Sequence, residues 1–337
     1  MTTPYVIGIG NAVMDVIAPT DDARLVRLGV EKGIMQLIDR ERSEYLMAAQ
    51  ADDHGPGQAQ ARLVPGGSVA NTLAGIGMLG PKTAFIGRVA EDPLGLSYAE
   101  QTEAAGTVFV NPPVAGKALP TSRSIIFVTP DGERSMNTYL GISAELGPDD
   151  VNPSVFSGAG WLFLEGYLFD KPKGKEAFLK AAECCHKAGG QAGIALSDPF
   201  CVDRHRDDFR RLVAGPMDYV IGNVHEWTSL YQTEDLESVL AQASRDCGTV
   251  ICTRSGDDPI LIRDGERVSV PVQRIIPVDA TGAGDQFAAG VIYGLATGAS
   301  LMAAGRMGCL AAAEVISHVG PRPERDLRAE FRAEGLI

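Results

Sequence analysis

At 337 residues the chain is long enough for one large domain, or for one domain with a smaller appendage. Hydrophobic residues make up 45% and charged residues 22%, a balance that excludes a disordered or fibrous chain. With 43 acidic against 30 basic residues the formal net charge is −13, which argues against a nucleic-acid backbone or an anionic membrane face as partner. A small anion can still bind, because a nest of backbone N–H groups outweighs a distant surface field.

The opening stretch, MTTPYVIGIGN, predicts a first strand and lacks the basic start and long apolar run of a secretory signal. The next residues, GIGNAVMD, resemble a dinucleotide fingerprint only superficially. Val13 stands where the third glycine belongs and no helix opens after it, which argues against a nicotinamide site. Asn11 and Asp15 on an extended segment suit hydrogen bonds to sugar hydroxyls, and a turn with polar decoration fits the segment equally well by itself. GVEKGIMQLID (29–39) is a short extended stretch. In VPGGSVANTLAGIGMLGP (64–81), Gly66 and Gly67 permit close backbone approach, Ser68 is the expected helix cap, and Gly80-Pro81 end the helix. Asn71, on its first turn, points back towards whatever lies above the glycines.

From residue 83 strands and helices alternate. TAFIGRV reads as a strand and DPLGLSYAEQTEAAG as a helix, with Asp92 as cap, Pro93 in the first turn and Gly106 as stop. SRSIIFVTPDGERSMNTYL (122–140) predicts a hairpin turning at Pro130-Asp131-Gly132. The strands GWLFLEGYLF, AGIALSDPF, MDYVIGNVHEW and TVICTRS then alternate with the helices GKEAFLKAAECCHKAGG, RDDFRRLVAG and EDLESVLAQASRDCG. A last hairpin, PILIRDGERVSVPV, belongs near the end of the main sheet. The expected fold is α/β: a mostly parallel central sheet with helices on both faces. A small β-sheet lid is expected from about 15–39 and 108–141, all within one domain over 1–337.

The six cysteines form no C-x-x-C pair and have no histidine pair beside them, which excludes a zinc site and reads as reduced core thiols. Residues 287–305 carry no charge and pass a crude membrane filter. They contain ATGAS, however, a helix stop followed by a start at Ser300, so two short buried helices are expected and the chain reads as soluble and cytoplasmic.

Ligands of an open parallel sheet bind outside the carboxyl ends of its strands. Asn11, Asp15, Asn223, Glu226, Thr253 and Asp285 all fall there. In VDATGAGDQF (278–287), Gly282, Ala283 and Gly284 lead into a helix whose unpaired N–H groups suit an anion. Asp285 in the first turn can serve merely as a helix-stabilising acid, worth about 0.3–1 kcal/mol. With a phosphoryl group over the glycines, it is also placed to take a proton from an attacking hydroxyl. The stretch has neither the lysine nor the spacing of a Walker A loop.

PGGSVAN and DATGAGD, in this order, resemble the two signatures of the ribokinase-like (PfkB-type) family of sugar and nucleoside kinases, and the resemblance extends from GIGNAVMD to HVGPRP. It implies a parallel sheet with a β-lid, ATP with Mg²⁺, and phosphoryl transfer to a primary alcohol. Carried over by residue, it implies Asp285 as catalytic base and Gly282, Ala283 and Gly284 as anion hole. Asn11, Asp15, Gly66, Gly67 and Asn71 would hold the acceptor. Asn223 and Glu226 match the N-x-x-E that organises Mg²⁺ through water, while Asn223, Thr253, Ser255 and Gly256 would meet the nucleotide. K⁺ is a further candidate ion, and monomer and homodimer both stay open. The chain departs from the usual T-x-G-x-x-G in TRSGDDP, where Ser255 and Asp258 occupy glycine positions and Asp258 would sit awkwardly beside phosphate. It also reads Asp-Ala-Thr where Asp-Thr-x is commoner.

GN followed by MD, the WLFLEGYLF strand and RPERDL resemble the adenosine-kinase-like branch, which implies a nucleoside acceptor, adenosine first. Met35, Met136, Tyr139, Phe163 and Tyr167 are candidate cover for its base, core packing being the alternative for each. A carbohydrate kinase for ribose or fructose would instead need hydroxyl partners in the lid, such as Arg134 or Asn137. A ligand sensor of the same fold would lack the acid at 285, which is present.

Overall fold

The computed structural model describes residues 5–52, 61–116, 119–272 and 274–337, so positions 117 and 118 of the expected lid lie outside the described residues. Its strands are β1 (Tyr5–Ile9), β2 (Val13–Pro19), β3 (Met35–Leu37), β4 (Arg62–Gly66), β5 (Lys82–Ile86), β6 (Thr107–Phe109) and β7 (Ser122–Val128). They continue as β8 (Arg134–Tyr139), β9 (Trp161–Glu165), β10 (Gln191–Ala195), β11 (Tyr219–Asn223), β12 (Thr249–Arg254), β13 (Asp257–Arg263) and β14 (Glu266–Ser269). Nine of them form one sheet in the order β14-β13-β12-β11-β10-β9-β1-β5-β6. It is parallel from β12 to β6, and the β12-β13-β14 meander is antiparallel.

Helices cover both faces, which is why the central strands read as near-continuous apolar runs rather than alternating. Ile7, Ile9, Leu162, Leu164 and Ile194 face one side and pack with Ala177, Phe178 and Ala181 of the Pro172–Lys187 helix. Val6, Phe85 and Phe163 face the other side. They pack with Val69, Leu73 and Ile76 of the Ser68–Met78 helix and with Phe287, Ala288 and Val291 of the Ala283–Ala296 helix. The uncharged 287–305 stretch is divided between Ala283–Ala296 and Leu301–Val315, and Ser300 Oγ caps the second by accepting from Ala303 N at 3.2 Å. Among the described residues no helix is long and apolar enough to cross a membrane.

Three strands end earlier than their apolar runs suggest. GYLF, after Glu165, is a 3-10 turn (Gly166–Asp170). β10 stops at Ala195, and Asp198-Pro199 opens a helix with the Asp as cap and Pro at the first position. β11 stops at Asn223 because Asn223 and Glu226 form a reciprocal capping box, which starts the Val224–Tyr231 helix where a longer strand was expected.

The remaining five strands form a small sheet in the order β3-β8-β7-β2-β4. The expected hairpin is β7-β8, with β3 parallel to β8 and β2 parallel to β7. Two boundaries differ from the expected 15–39 and 108–141. β6, which straddles the start of the second range, joins the edge of the large sheet. β4, outside both, pairs with β2. Its Pro65 disguises it as a loop, but β4 is an edge strand, where a missing N–H is tolerated. The helices Asp22–Leu28 and Arg40–Asp52 cover one face of this sheet through Leu25, Leu28 and Leu46 on Ile125 and Phe127. Its other face overhangs the carboxyl ends of the large sheet.

Candidate active site

The large sheet grows outward from β1 on both sides, so its crevice opens between β1 and β9. Asn11 lies just past β1, and Glu165 ends β9. Asn11 N and Nδ2 both donate to Glu165 Oε1, at 2.6 and 2.7 Å, and Asn11 Oδ1 accepts from Ser143 Oγ at 2.8 Å. Burial pushes the Glu165 carboxyl up to about 7, against the pull of the Asn11 donors. Glu165 was not among the residues picked out from the sequence. Its one signal is an acid closing an otherwise apolar strand.

That burial has a measurable consequence. A carboxyl raised from its ordinary 4.5 to about 7 carries about 3 kcal/mol of cost when ionised. Its stabilising share is complete below about pH 4.5 and is lost as pH rises through about 7. Glu165→Gln keeps an acceptor for Asn11, so it is expected to stabilise the protein at pH 8 by up to about 3 kcal/mol, with the difference gone by about pH 4.5. Urea unfolding of both proteins at the two pH values checks this.

β4 runs directly into Gly66 and Gly67. Gly67 has φ 98° and ψ 131°, and a Cβ there would overlap the Asn11 carbonyl oxygen. Gly67, and not Ser68, holds the cap position of the Ser68–Met78 helix, with no side-chain cap. Ser68 is instead the first helical residue, one position too far on to cap, and its hydroxyl donates to Asp285 Oδ1 at 2.6 Å. Asn71 Nδ2 donates to Asp285 Oδ2 at 3.0 Å, and Thr72 Oγ1 reaches the Asp285 carbonyl at 3.2 Å. Two helix N-termini therefore meet at one carboxylate. Burial pushes the Asp285 carboxyl up, while Ser68, Asn71 and the Arg322 guanidinium pull it down.

The loop before this helix is tightly held. Thr281 N and Oγ1 donate to Asp279 Oδ1 at 3.0 and 2.6 Å, and Gly320 N donates to Asp279 Oδ2 at 2.9 Å. Gly282 has φ 80°, and a Cβ on it would lie 2.6 Å from Pro321 Cα, so glycine alone fits. Arg134 of β8 ties the small sheet to the loop: Nη1 donates to Thr281 Oγ1 at 3.0 Å and lies 3.2 Å from Asp279 Oδ2. Its Nη2 is buried without a hydrogen-bond partner among the described residues. An orphaned guanidinium nitrogen on a side chain bonded to Thr281, beside a helix N-terminus, suits an anionic oxygen such as a phosphate of ATP.

Between the two sheets lies a cleft of about 700 Å³. Its polar end holds Asn11, Asp15, Ser68, Asn71, Glu165 and Asp285. Burial pushes Asp15 up to about 7, opposed by Arg134 and Arg322 and reinforced by Asp285. Met35, Leu37, Met136, Leu140, Phe163 and Tyr167 also line the cleft, beside the Ser124 and Thr138 hydroxyls of the small sheet and Ser197, Asp198 and Arg204. Tyr139 is not part of it: its ring carries the Arg123 guanidinium at 5.7 Å. Asn137 is fully buried, accepting from Gln36 Nε2 at 2.8 Å and donating to Ile125 O at 3.3 Å.

The far end of the cleft is reached by Asn223, Glu226 and Thr253. Asn223 N and Nδ2 donate to Glu226 Oε2 and Oε1 at 2.8 and 2.7 Å, and burial pushes Glu226 up to about 7. Among the described residues no cluster of three or more His, Cys, Asp or Glu is arranged to hold a metal. Asn223 and Glu226 offer oxygen donors only, the chemistry of a hard cation that keeps its waters. Ser255, at φ 55°, and Gly256 form the turn between Arg254 and Asp257, outside the cleft lining. Asp258 Oδ1 accepts from Val272 N at 3.0 Å, so this carboxylate is engaged with backbone.

Apart from β1, β2, Asn11 and Asp15, this arrangement lies within residues 33–326, which match the model of the pfkB family carbohydrate kinases. The chain belongs to that family. It is therefore a phosphotransferase acting on a hydroxyl group, with the ribokinase-like α/β fold. This PfkB-family chain is similar over the full length of both chains to a probable sugar kinase from Rhizobium etli CFN 42, with 43% identity and a TM-score of 0.88. It is 41% identical to the adenosine kinase from Sinorhizobium meliloti, with 99% of this chain and 100% of that one covered and a TM-score of 0.86. A fructokinase from Klebsiella pneumoniae is 28% identical over 247 residues, 71% of this chain and 80% of the relative.

In this PfkB-family site, Asn11, Asp15, Gly67, Asn71, Asn223, Glu226, Thr253, Gly284 and Asp285 are brought to one cleft. Gly66, Gly282 and Ala283 stand behind it in the backbone, and Ser255 and Gly256 are not brought in. Ser68, Glu165 and Arg322 complete the polar end without having been singled out for it.

Proposed function

We propose that this kinase transfers the γ-phosphoryl group of ATP to the primary hydroxymethyl group of a nucleoside, with adenosine as the first candidate. The observation that carries the nucleoside reading is the apolar underside of the small sheet. Met35 and Leu37 are 49% and 55% exposed, and with Met136 they line the cleft along with Phe163 and Tyr167. Apolar side chains left open on a cleft wall suit the flat face of a base. Asn137, a lid partner a sugar would use, is fully buried and does not line the cleft. The similarity to the Sinorhizobium meliloti adenosine kinase supports the same reading.

In this reading Asn11, Asp15 and Asn71 hold the ribose hydroxyls, with the Gly66-Gly67 backbone close by. Gly282, Ala283 and Gly284 steady the transferring phosphoryl at the helix N-terminus. The hydroxymethyl oxygen attacks the γ-phosphorus in line, the bond to the bridging oxygen of ADP breaks, and Asp285 takes the hydroxyl proton. Asp285 suits this role, because burial raises its proton affinity while Ser68 and Asn71 favour its ionised form. Asn223 and Glu226 would hold Mg²⁺ through water near the nucleotide, with Thr253; the ion, when bound, neutralises phosphate charge. The small sheet acts as a lid that excludes water.

The purified protein with ATP and Mg²⁺ is expected to release ADP with adenosine and to leave ribose and fructose untouched. The fructokinase likeness supports the alternative acceptor. Turnover of fructose without adenosine would overturn the nucleoside reading and keep the kinase.

A further inference from the structure

Arg322 enters the polar end from the loop between the Leu301–Val315 and Leu327–Ala333 helices. Its Nη2 donates to the Pro65 carbonyl at 2.7 Å, and its Nε donates to Asn71 Oδ1 at 3.2 Å. The Asn71 amide is thus used at both ends, with its oxygen towards Arg322 and its nitrogen 3.0 Å from Asp285 Oδ2. Turning that amide over would set NH₂ against guanidinium N–H and a carbonyl oxygen against a carboxylate. Both contacts would be repulsive. The loop that carries Arg322 is itself anchored. Fully buried Glu314 accepts from Glu324 N and Arg325 N at 3.0 and 2.9 Å, and the Pro321 carbonyl accepts from the buried Gln286 amide at 3.0 Å.

We infer that Arg322 is a positioning residue for phosphoryl transfer: it fixes the Asn71 amide so that its N–H donates to Asp285. The inference rests on Asp285 being the base. The groups facing Asp285 divide by sign. Asp15 from β2 and Glu165 from β9 are acids that disfavour its charge, whereas Ser68 and Asn71 from the Ser68–Met78 helix donate to it. Arg322 is the cation acting on it, and it also faces Asp15 and the Tyr98 hydroxyl, while Arg134 faces Asp15.

The test compares Arg322→Gln, Arg322→Lys and Asp285→Asn with the wild type. Steady-state kinetics across pH, using the acceptor that turns over, are joined by a crystal structure of each arginine variant. Arg322→Gln is expected to lower kcat roughly 10–100-fold with KM for ATP unchanged. It should also move the acid limb of kcat/KM to higher pH, because the Arg322 guanidinium pulls the Asp285 carboxyl down. In its crystal Asn71 should turn away from Asp285. Arg322→Lys retains the charge and loses the planar fork, so the acid limb should stay while kcat remains depressed. This variant decides the matter if the glutamine protein does not fold. A wild-type kcat and acid limb in the glutamine variant, or an Asn71–Asp285 contact unchanged at 3.0 Å, overturns the inference. So does a kcat loss matched by an equal loss of ATP affinity. If Asp285→Asn is inactive while Arg322→Gln is unimpaired, only this inference fails. If Asp285→Asn keeps full turnover, the base assignment itself falls.

Discussion

Asp285→Asn is expected to lower kcat about 10²–10⁴-fold while the folded protein and its affinity for ATP persist. The substitution preserves the shape of the side chain, and Ser68 can still donate to the remaining carbonyl oxygen at the Oδ1 position. What it removes is the group able to accept a proton at the meeting point of two helix N-termini. Stability should fall only modestly: the new NH₂ at the Oδ2 position meets the Asn71 NH₂ that Arg322 holds in place, while burial already disfavours the charge that is lost. Steady-state kinetics with thermal unfolding check both halves. A variant with unchanged kcat would reduce Asp285 to a favourable charge at a helix dipole, worth about 0.3–1 kcal/mol.

Gly67→Ala should damage both stability and catalysis. Its φ of 98° lies in the region that favours glycine, and forcing a side chain there costs roughly 1–3 kcal/mol. The added methyl group would also overlap the Asn11 carbonyl oxygen, which is backbone and has no rotamer to escape to. Asn11 is pinned to Glu165 by two hydrogen bonds, so the strain falls on the start of the Ser68–Met78 helix. Ser68 and Asn71 would shift relative to Asp285. We expect a stability loss of about 3 kcal/mol or more and a fall in kcat/KM of about 100-fold. Urea unfolding and kinetics on the same preparation measure the two effects. An alanine variant with wild-type values of both would mean that this entry to the helix yields without cost.

Much of the scaffold was legible because its causes are local. Asp92 as cap and Gly106 as stop bracket the Pro93–Ala104 helix as expected, since a capping side chain acts within three residues. The β7-β8 hairpin follows from its turn residues for the same reason. Where strands ended was harder to read. GYLF is apolar enough to continue β9, and VHEW reads as a continuation of β11; a 3-10 turn and a capping box stop them. β4 was hidden by a proline that only an edge position excuses.

The sequence by itself determined that a glycine-led helix start follows each of PGG and ATG, and that Asp285 sits in the first turn of the second. Those features depend on neighbours along the chain. Only the tertiary structure decided what meets there. Ser68 and Asp285 are 217 positions apart, and Asn71 and Arg322 are 251 apart, so no spacing rule relates them. The same holds for charge. Asp15, Glu165 and Glu226 are ordinary carboxylates in the sequence, and each is pushed up to about 7 by burial that the folded packing imposes. Local backbone chemistry is written residue by residue, whereas desolvation and long-range contacts exist only once two sheets have closed on a cleft.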